Sequence, residues 1–365
     1  MNSVSPIKTF ARNLSYLRDS QNMTQAELAE LIGASPKTVL RYESGSFNPK
    51  MDLVASLADA LKVKVEDFFN EDLKRDSLFN VEFEITGVSK KKSGFEYREE
   101  DKISADLKES IREITIDRLV KFHELFDLLD YDIKFANPLE NFKIIKTRKD
   151  AEKAAGKVRR KWQIGKTPIL SVVSTLENHG VNVIDVSVPE EFEGLSAYIN
   201  DLPVIVLNNQ VHEKTRRRFT ALHELGHLIL EIDDSLSYQD IERICDAFAA
   251  SMLLPRELLI VELGQKRTKI SRKELKALKQ KYGVSVRSLL VGAAYSGIID
   301  WDEYHEVKDT LVDLGQYEGE EIASKYQQLV YRGITEGQLS PGKAKYFTGM
   351  NKSAFDSIKN NLEFG

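Results

Sequence analysis

Cysteine occurs once in this chain, at Cys245, so no intrachain disulfide can form and a disulfide-stapled fold is excluded. No apolar run approaches the length of a membrane-spanning helix, and the first residues, MNSVSPIKTFARNL, hold none of the kind a signal peptide needs. These absences predict a soluble protein of the reducing cytoplasm with no membrane partner. An excess of positive charge is missing too. With 52 basic residues against 57 acidic ones the net charge is −5, so any nucleic-acid contact must come from a local basic patch. There is no low-complexity tract. What remains is an ordinary globular composition, 42% hydrophobic and 30% charged. At 365 residues the chain is too long for one small core, so two or three domains are expected.

Four regions follow from the patterning. Residues 1–72 read as short amphipathic helices separated by turn signals. Residues 73–145 read as a polar, irregular linker followed by one long helix over 103–130. Residues 146–262 mix helices with strands: the β-branched run VNVIDVSV at 181–188, then two strands within 195–208 around a tight Asn200-Asp201 turn. Two helices follow, over 215–231 and 239–254, the second closed by Pro255. Residues 263–365 are helical to the end. The fold class predicted is α+β but predominantly α.

The first region carries a specific signal. Thr24 followed by Glu27 is a capping-box arrangement opening one helix; Gly33 ends it, and Ser35 with Pro36 opens the next. Two short helices joined by a glycine turn are the skeleton of a helix-turn-helix, whose second helix enters the major groove of DNA. Ser35, Lys37, Thr38 and Arg41 lie on or open that helix. Gln25 opens the preceding helix, and Asn48 and Lys50 follow, where phosphate contacts are expected. Residues 1–67 hold eight basic and eight acidic side chains, so it is the grouping of Lys37, Arg41 and Lys50, not total charge, that favours DNA. The stretch LRDSQNMTQAELAELIGASPKTVLRYESGSFNPKMDLVASLADALKVKVEDFF resembles the XRE family of lambda-repressor-like domains along its whole length. That resemblance implies a five-helix DNA-binding domain, double-stranded operator DNA as partner, and a homodimer on paired half-sites.

The second signal is RFTALHELGHLIL at 218–230. Residues four apart share a helix face, so His223 and His227 can present imidazoles to one metal ion. Glu224 is turned about a hundred degrees round the helix, beside the metal, where a general base must stand. The competing reading is a core helix with two partly buried histidines. A catalytic Zn2+ needs a third protein ligand and an open position. Glu231, Asp233, Asp234, Asp240 and Glu242 are the downstream candidates, and Glu231 on the same helix sits too far along. On the next helix, IERICDAFAASMLL, an apolar stripe of Ile241, Ile244, Phe248 and Met252 is flanked by Glu242, Cys245 and Asp246. If that stripe packs on the first helix, Glu242 reaches the metal and Asp246 can accept the outer N–H of a ligand histidine.

A Glu followed four residues later by an Asp resembles the third-ligand helix of thermolysin-like zinc peptidases. The wider span, GLSAYINDLPVIVLN through RRRFTALHELGHLIL to ERICDAFAASMLLP, resembles the ImmA/IrrE metallopeptidases, with Cys245-Asp246 where Ala-Asn is common. Cys245 there reads as a small packing residue, or less simply as a redox-sensing thiol. The resemblance implies a zincin-like domain, a small sheet with the HExxH helix, and cleavage of a helix-turn-helix repressor that frees phage, mobile-element or stress genes. An extended substrate could add to the edge of the 195–207 hairpin. Tyr198 is a candidate helper at the oxyanion or a packing aromatic. Arg216 to Arg218 could receive an acidic substrate or form a solvated helix start. The glycine turn at 278–300 reads as a structural or docking helix pair, or as a second DNA-binding pair. His123, His179, His212 and His305 have no metal-like spacing. The alternative function is a non-proteolytic repressor, antitoxin-like, whose metallo-domain senses metal or a ligand.

Overall fold

In the computed structural model the described residues are 6–21, 23–45, 47, 49–70, 84–85, 104–131, 133–189, 192–199, 202–308 and 314–360. The chain divides into two compact units, Met1–Val81 and Glu82–Gly365.

The first unit contains helices α1 (Pro6–Ser20), α2 (Gln25–Leu31), α3 (Pro36–Glu43) and α4 (Met51–Leu61). The fifth helix implied by the family resemblance is a 3₁₀ turn, Val65–Phe69. Five residues are too few for a stable α-helix, and Phe68 is the anchor that buries it. The capping box forms: the Thr24 side chain accepts from the Glu27 amide, and the Glu27 carboxylate accepts from the Thr24 amide at 2.7 Å. Gly33 takes φ +65°, the left-handed turn that separates α2 from α3. Ser35 caps α3 with Pro36 in its first turn. Phe10, Leu14, Leu28, Val39, Val54, Leu57 and Phe68 meet in the core. Arg18 ties α1 to α3 through Glu43 at 2.6 Å.

The second unit is built on a sheet of order β1-β3-β4-β2, comprising β1 (Glu84–Ile85), β2 (Asn182–Val186), β3 (Gly194–Ile199) and β4 (Leu202–Asn208). β2 pairs parallel with β4, Asn182 opposite Val204, and β3 pairs antiparallel with β4, Leu195 opposite Val206. The expected hairpin is there, and its turn residues Asn200 and Asp201 lie outside the described residues. Two residues of the region read as irregular linker, Glu84 and Ile85, instead pair with β3.

Helices α5 (Ala105–Leu128), α6 (Arg148–Lys161) and α7 (Val172–Asn178) precede the sheet strands β2 to β4. α8 (Lys214–Ile229) and α9 (Tyr238–Leu253) follow them, α9 packing against both α8 and α6. Next come α10 (Arg256–Leu263), α11 (Arg272–Tyr282), α12 (Val286–Tyr295) and α13 (Trp301–Val307). A single core runs from Leu139 to Tyr304, so residues 263–305 do not form a body apart from the peptidase-like region. Within it Val286, Leu289, Leu290 and Ala293 are buried, as a structural helix pair requires. The last helices, α14 (Lys325–Thr335), α15 (Pro341–Thr348) and α16 (Lys352–Asn360), share a second core with Leu125 and Leu129 at the end of α5.

The arginine run at the start of α8 is neither a solvated face nor a substrate receptor at two of its three positions. Arg217 pairs with Asp185, and Arg218 is fully buried against Glu321, also fully buried. Only Arg216 reaches outward, to Glu193. The Glu321 carboxylate also accepts the amides of Val172 and Val173 at 2.9 and 3.0 Å, so one side chain closes α7 and neutralises α8's buried guanidinium. Removing one partner of a buried pair leaves the other charge uncompensated, at a cost of about 3–5 kcal/mol. Glu321→Ala is therefore expected to lower the urea midpoint of the full chain by a margin in that range. A variant as stable as the parent would show that the pair carries no such weight.

Candidate metal centre and DNA-facing helix

The geometry starts from two glycines. A Cβ at Gly226 would stand 3.3 Å from the Phe248 ring and 3.4 Å from the Cβ and Sγ of Cys245, so α9 packs tightly over α8 at this point. A Cβ at Gly194 would stand 2.9 Å from both Thr220 and the Val206 carbonyl oxygen, so the start of β3 can lie directly on α8. Ser237 caps α9, accepting from the Asp240 amide, and Ile244, Phe248 and Met252 bury the apolar stripe.

That crossing brings His223, His227 and Glu242 together, their donor atoms all within 4.8 Å of one another. His223 Nε2 and His227 Nε2 are 3.0 Å apart, and each is 3.2 Å from a Glu242 oxygen. Ligands about 2.0–2.1 Å from a tetrahedral zinc stand about 3.3 Å from each other, so this donor set fits that ion. His223 Nδ1 lies 2.9 Å from Asp246 Oδ1, a bond that turns the Nε2 lone pair toward the cluster. Among the described residues no other such group forms. Asp233 is held by Ser235 and Lys146, and Asp240 by Ser237 and Arg243.

Glu224 is buried and its Oε2 accepts from Ser196 Oγ at 2.7 Å. Ser196 was missed in the sequence, and GLSAYI carries no signal for it: the apolar alternation is Leu195, Ala197 and Ile199, and Ser196 is buried because β3 packs on α8. Tyr198, two residues on, donates its hydroxyl to the Leu228 carbonyl at 3.1 Å. Burial raises its pKa and keeps that proton in place.

Burial alone would lower the pKa of His223, but its bonds to Asp246 and Glu242 and the charges of Glu224 and Glu242 outweigh this and hold it well above the usual value. Burial would raise that of Glu242, but its bonds to His223 and His227 prevail and hold it low. Cys245 is buried, 3.5 Å from His227 Nδ1, and burial with the neighbouring carboxylates pushes its thiol far up. A protonated, enclosed thiol packed on Gly226 is a spacer, not a redox sensor.

In the first unit, Ser35, Lys37, Arg41 and Lys50 are exposed and Thr38 is half-buried. The Thr38 amide donates to Ser35 Oγ, capping α3, and Arg41 stacks over Phe47 at 5.5 Å. Gln25 donates to Glu43 Oε2 at 2.6 Å, joining the start of α2 to the end of α3. Asn48 lies outside the described residues.

Residues 14–68 match the helix-turn-helix family model, and residues 176–292 match that of the IrrE N-terminal-like domain. The chain is 38% identical over 56 residues to an uncharacterised HTH-type transcriptional regulator of Methanocaldococcus jannaschii, covering 15% of this chain and 85% of that protein. It is 34% identical over 93 residues to the radiation response metalloprotease IrrE of Deinococcus deserti, covering 22% of this chain and 33% of that one. It is 38% identical over 50 residues to the cryptic phage CTXphi transcriptional repressor RstR of Vibrio cholerae, covering 14% of this chain and 45% of that protein. Among the described residues no helix is long and apolar enough to cross a membrane.

With no cation present, the carboxylates favour a protonated His223, so its contribution to stability is full below the ordinary histidine pKa and disappears as pH rises through the raised one. Glu242 mirrors it, contributing above the ordinary carboxylate pKa and losing that contribution as pH falls. A divalent cation must displace the His223 proton. Zinc affinity, measured against a chromophoric chelator, is therefore expected to keep climbing at least a unit beyond the free histidine pKa of about 6.5. A profile already flat there would contradict the proton count. Asp246→Ala is expected to weaken zinc about 10–100-fold.

Proposed function

Because the chain belongs to the helix-turn-helix transcriptional regulators and carries an IrrE-like domain, we propose that it is a DNA-binding regulator with its own zinc endopeptidase. The observation that carries this reading is the spacing of His223, His227 and Glu242, with Glu224 beside them and tied to Ser196. In this reading His223, His227 and Glu242 hold Zn2+. The ion supplies Lewis acidity toward a peptide carbonyl and toward water.

The chain's own groups do the rest. Glu224 takes a proton from the attacking water and returns it to the departing amide nitrogen. Ser196 donates to one Glu224 oxygen, Oε2, which leaves Oε1 to receive that proton. Asp246 fixes the His223 ring. The edge of β3, lying over α8, is where an extended substrate adds as a further strand. The substrate is a repressor of the helix-turn-helix type, a reading supported by the fusion of a helix-turn-helix domain to the IrrE-like one. Lys37 and Arg41 on α3 meet bases and phosphates of an operator, with Lys50 on the backbone and Gln25 bracing α3. Binding as a dimer on paired half-sites, in the cytoplasm, completes the proposal.

Zinc-loaded protein mixed with its cognate helix-turn-helix repressor is expected to yield two fragments. Glu224→Gln is expected to retain zinc and lose about 10²–10⁴-fold in rate. Zinc-dependent operator binding without any cleavage would overturn the endopeptidase and favour a metal sensor. On the DNA side, Lys37→Ala and Arg41→Ala are each expected to weaken operator binding by about 1–3 kcal/mol. A phosphate contact would lower the salt slope by about one, and a base contact would relax specificity at one position. Unchanged affinity in both would move the interface off α3.

A further inference from the structure

β3 has β4 on one side, and its other side is the edge to which a peptide would add. That edge is already paired. Glu84 stands opposite Tyr198 and Ile85 opposite Ala197, antiparallel, in the strand β1. β3 is also the strand that touches the site: Ser196 holds Glu224, and Tyr198 bonds to α8 at Leu228. The direction of β1 carries the chain from Tyr198 toward Ser196, which is toward Glu224.

A second observation comes from the residues themselves. Val81-Glu82-Phe83-Glu84-Ile85-Thr86 alternates apolar and polar through six positions and is followed by Gly87, the pattern of a strand with one buried face. The sequence around β1 therefore has strand character, although β1 lies more than a hundred residues from β3.

We propose that β1, Glu84–Ile85, is an internal occupant of the peptide-binding edge of β3, so that the chain competes with its own substrate. The consequence for cleavage rests on the endopeptidase reading; the occupancy does not. A tethered strand faces the edge at an effective concentration on the order of millimolar, so a free peptide must displace it before it can bind. The signature is a raised KM with kcat unchanged.

The test uses the full-length, metal-free chain and two variants: residues 81–86 replaced by Gly-Ser repeats, and the double substitution Glu84→Pro with Ile85→Pro, which removes the amide donors of β1. Amide hydrogen exchange is read over residues 194–199, and binding of a labelled synthetic peptide of residues 80–90, NVEFEITGVSK, is read by anisotropy. In both variants the outward-facing β3 amides are expected to exchange about ten-fold faster or more, and the peptide to bind about ten-fold tighter or more than to the parent. Equal exchange and equal peptide affinity in parent and variants would overturn the proposal. If occupancy is seen but none of the zinc-loaded proteins cuts a peptide, the endopeptidase reading alone fails.

Discussion

The crossing of α8 and α9, with Gly226 inside it, is the contact on which the candidate metal centre depends. Glycine admits the Phe248 ring and Cys245 at van der Waals distance, and that contact sets the height at which Glu242 meets the two histidines. An added methyl at position 226 would need the Phe248 ring to give slightly, and larger side chains would need correspondingly more room between the helices. Cys245 belongs to the same contact: it is small enough to lie against Gly226, and it stays protonated because it is enclosed. Gly194 lets β3 approach the same helix, so α8 carries His223, Glu224 and His227 while β3 brings Ser196 and α9 brings Glu242 to them.

That helix is in turn held from its other end. Arg217 and Arg218 point into the protein, and Glu321, a hundred residues downstream, neutralises one and gives its backbone carbonyl to the other. The same carboxylate caps α7. Glu177 on α7 accepts from the Lys325 amide at the start of α14, and burial raises its pKa to about 7. The C-terminal helices are therefore joined to α8 through buried charges paired across the fold. Buried polar links of this kind give register more than net stability.

How much of this was legible beforehand follows from interaction range. The capping box at Thr24, the proline start at Pro36, the glycine turn at Gly33 and the 223/227 pair are all local patterns. Helices α8 and α9 fall within about two residues of where their periodicity puts them. Glu242 and Asp246 were reachable because an apolar stripe on α9 says which face packs. Ser196, Glu321 and the buried arginines were not, because their partners lie between about 28 and 149 residues away. The VEFEIT alternation was visible, but alternation alone names no partner strand.

Sequence alone determined the helix-turn-helix, the HExxH face and the residue types around it, because backbone propensity and side-chain spacing act within one or two turns. Tertiary structure decided which acid joins the histidines, that Tyr198 serves the Leu228 carbonyl, and that residues 263–305 share the core of the metal centre. It also decided that Glu84 and Ile85 cover the edge of β3. Each of these depends on which surfaces meet, and burial and close packing settle that only when the whole chain is folded.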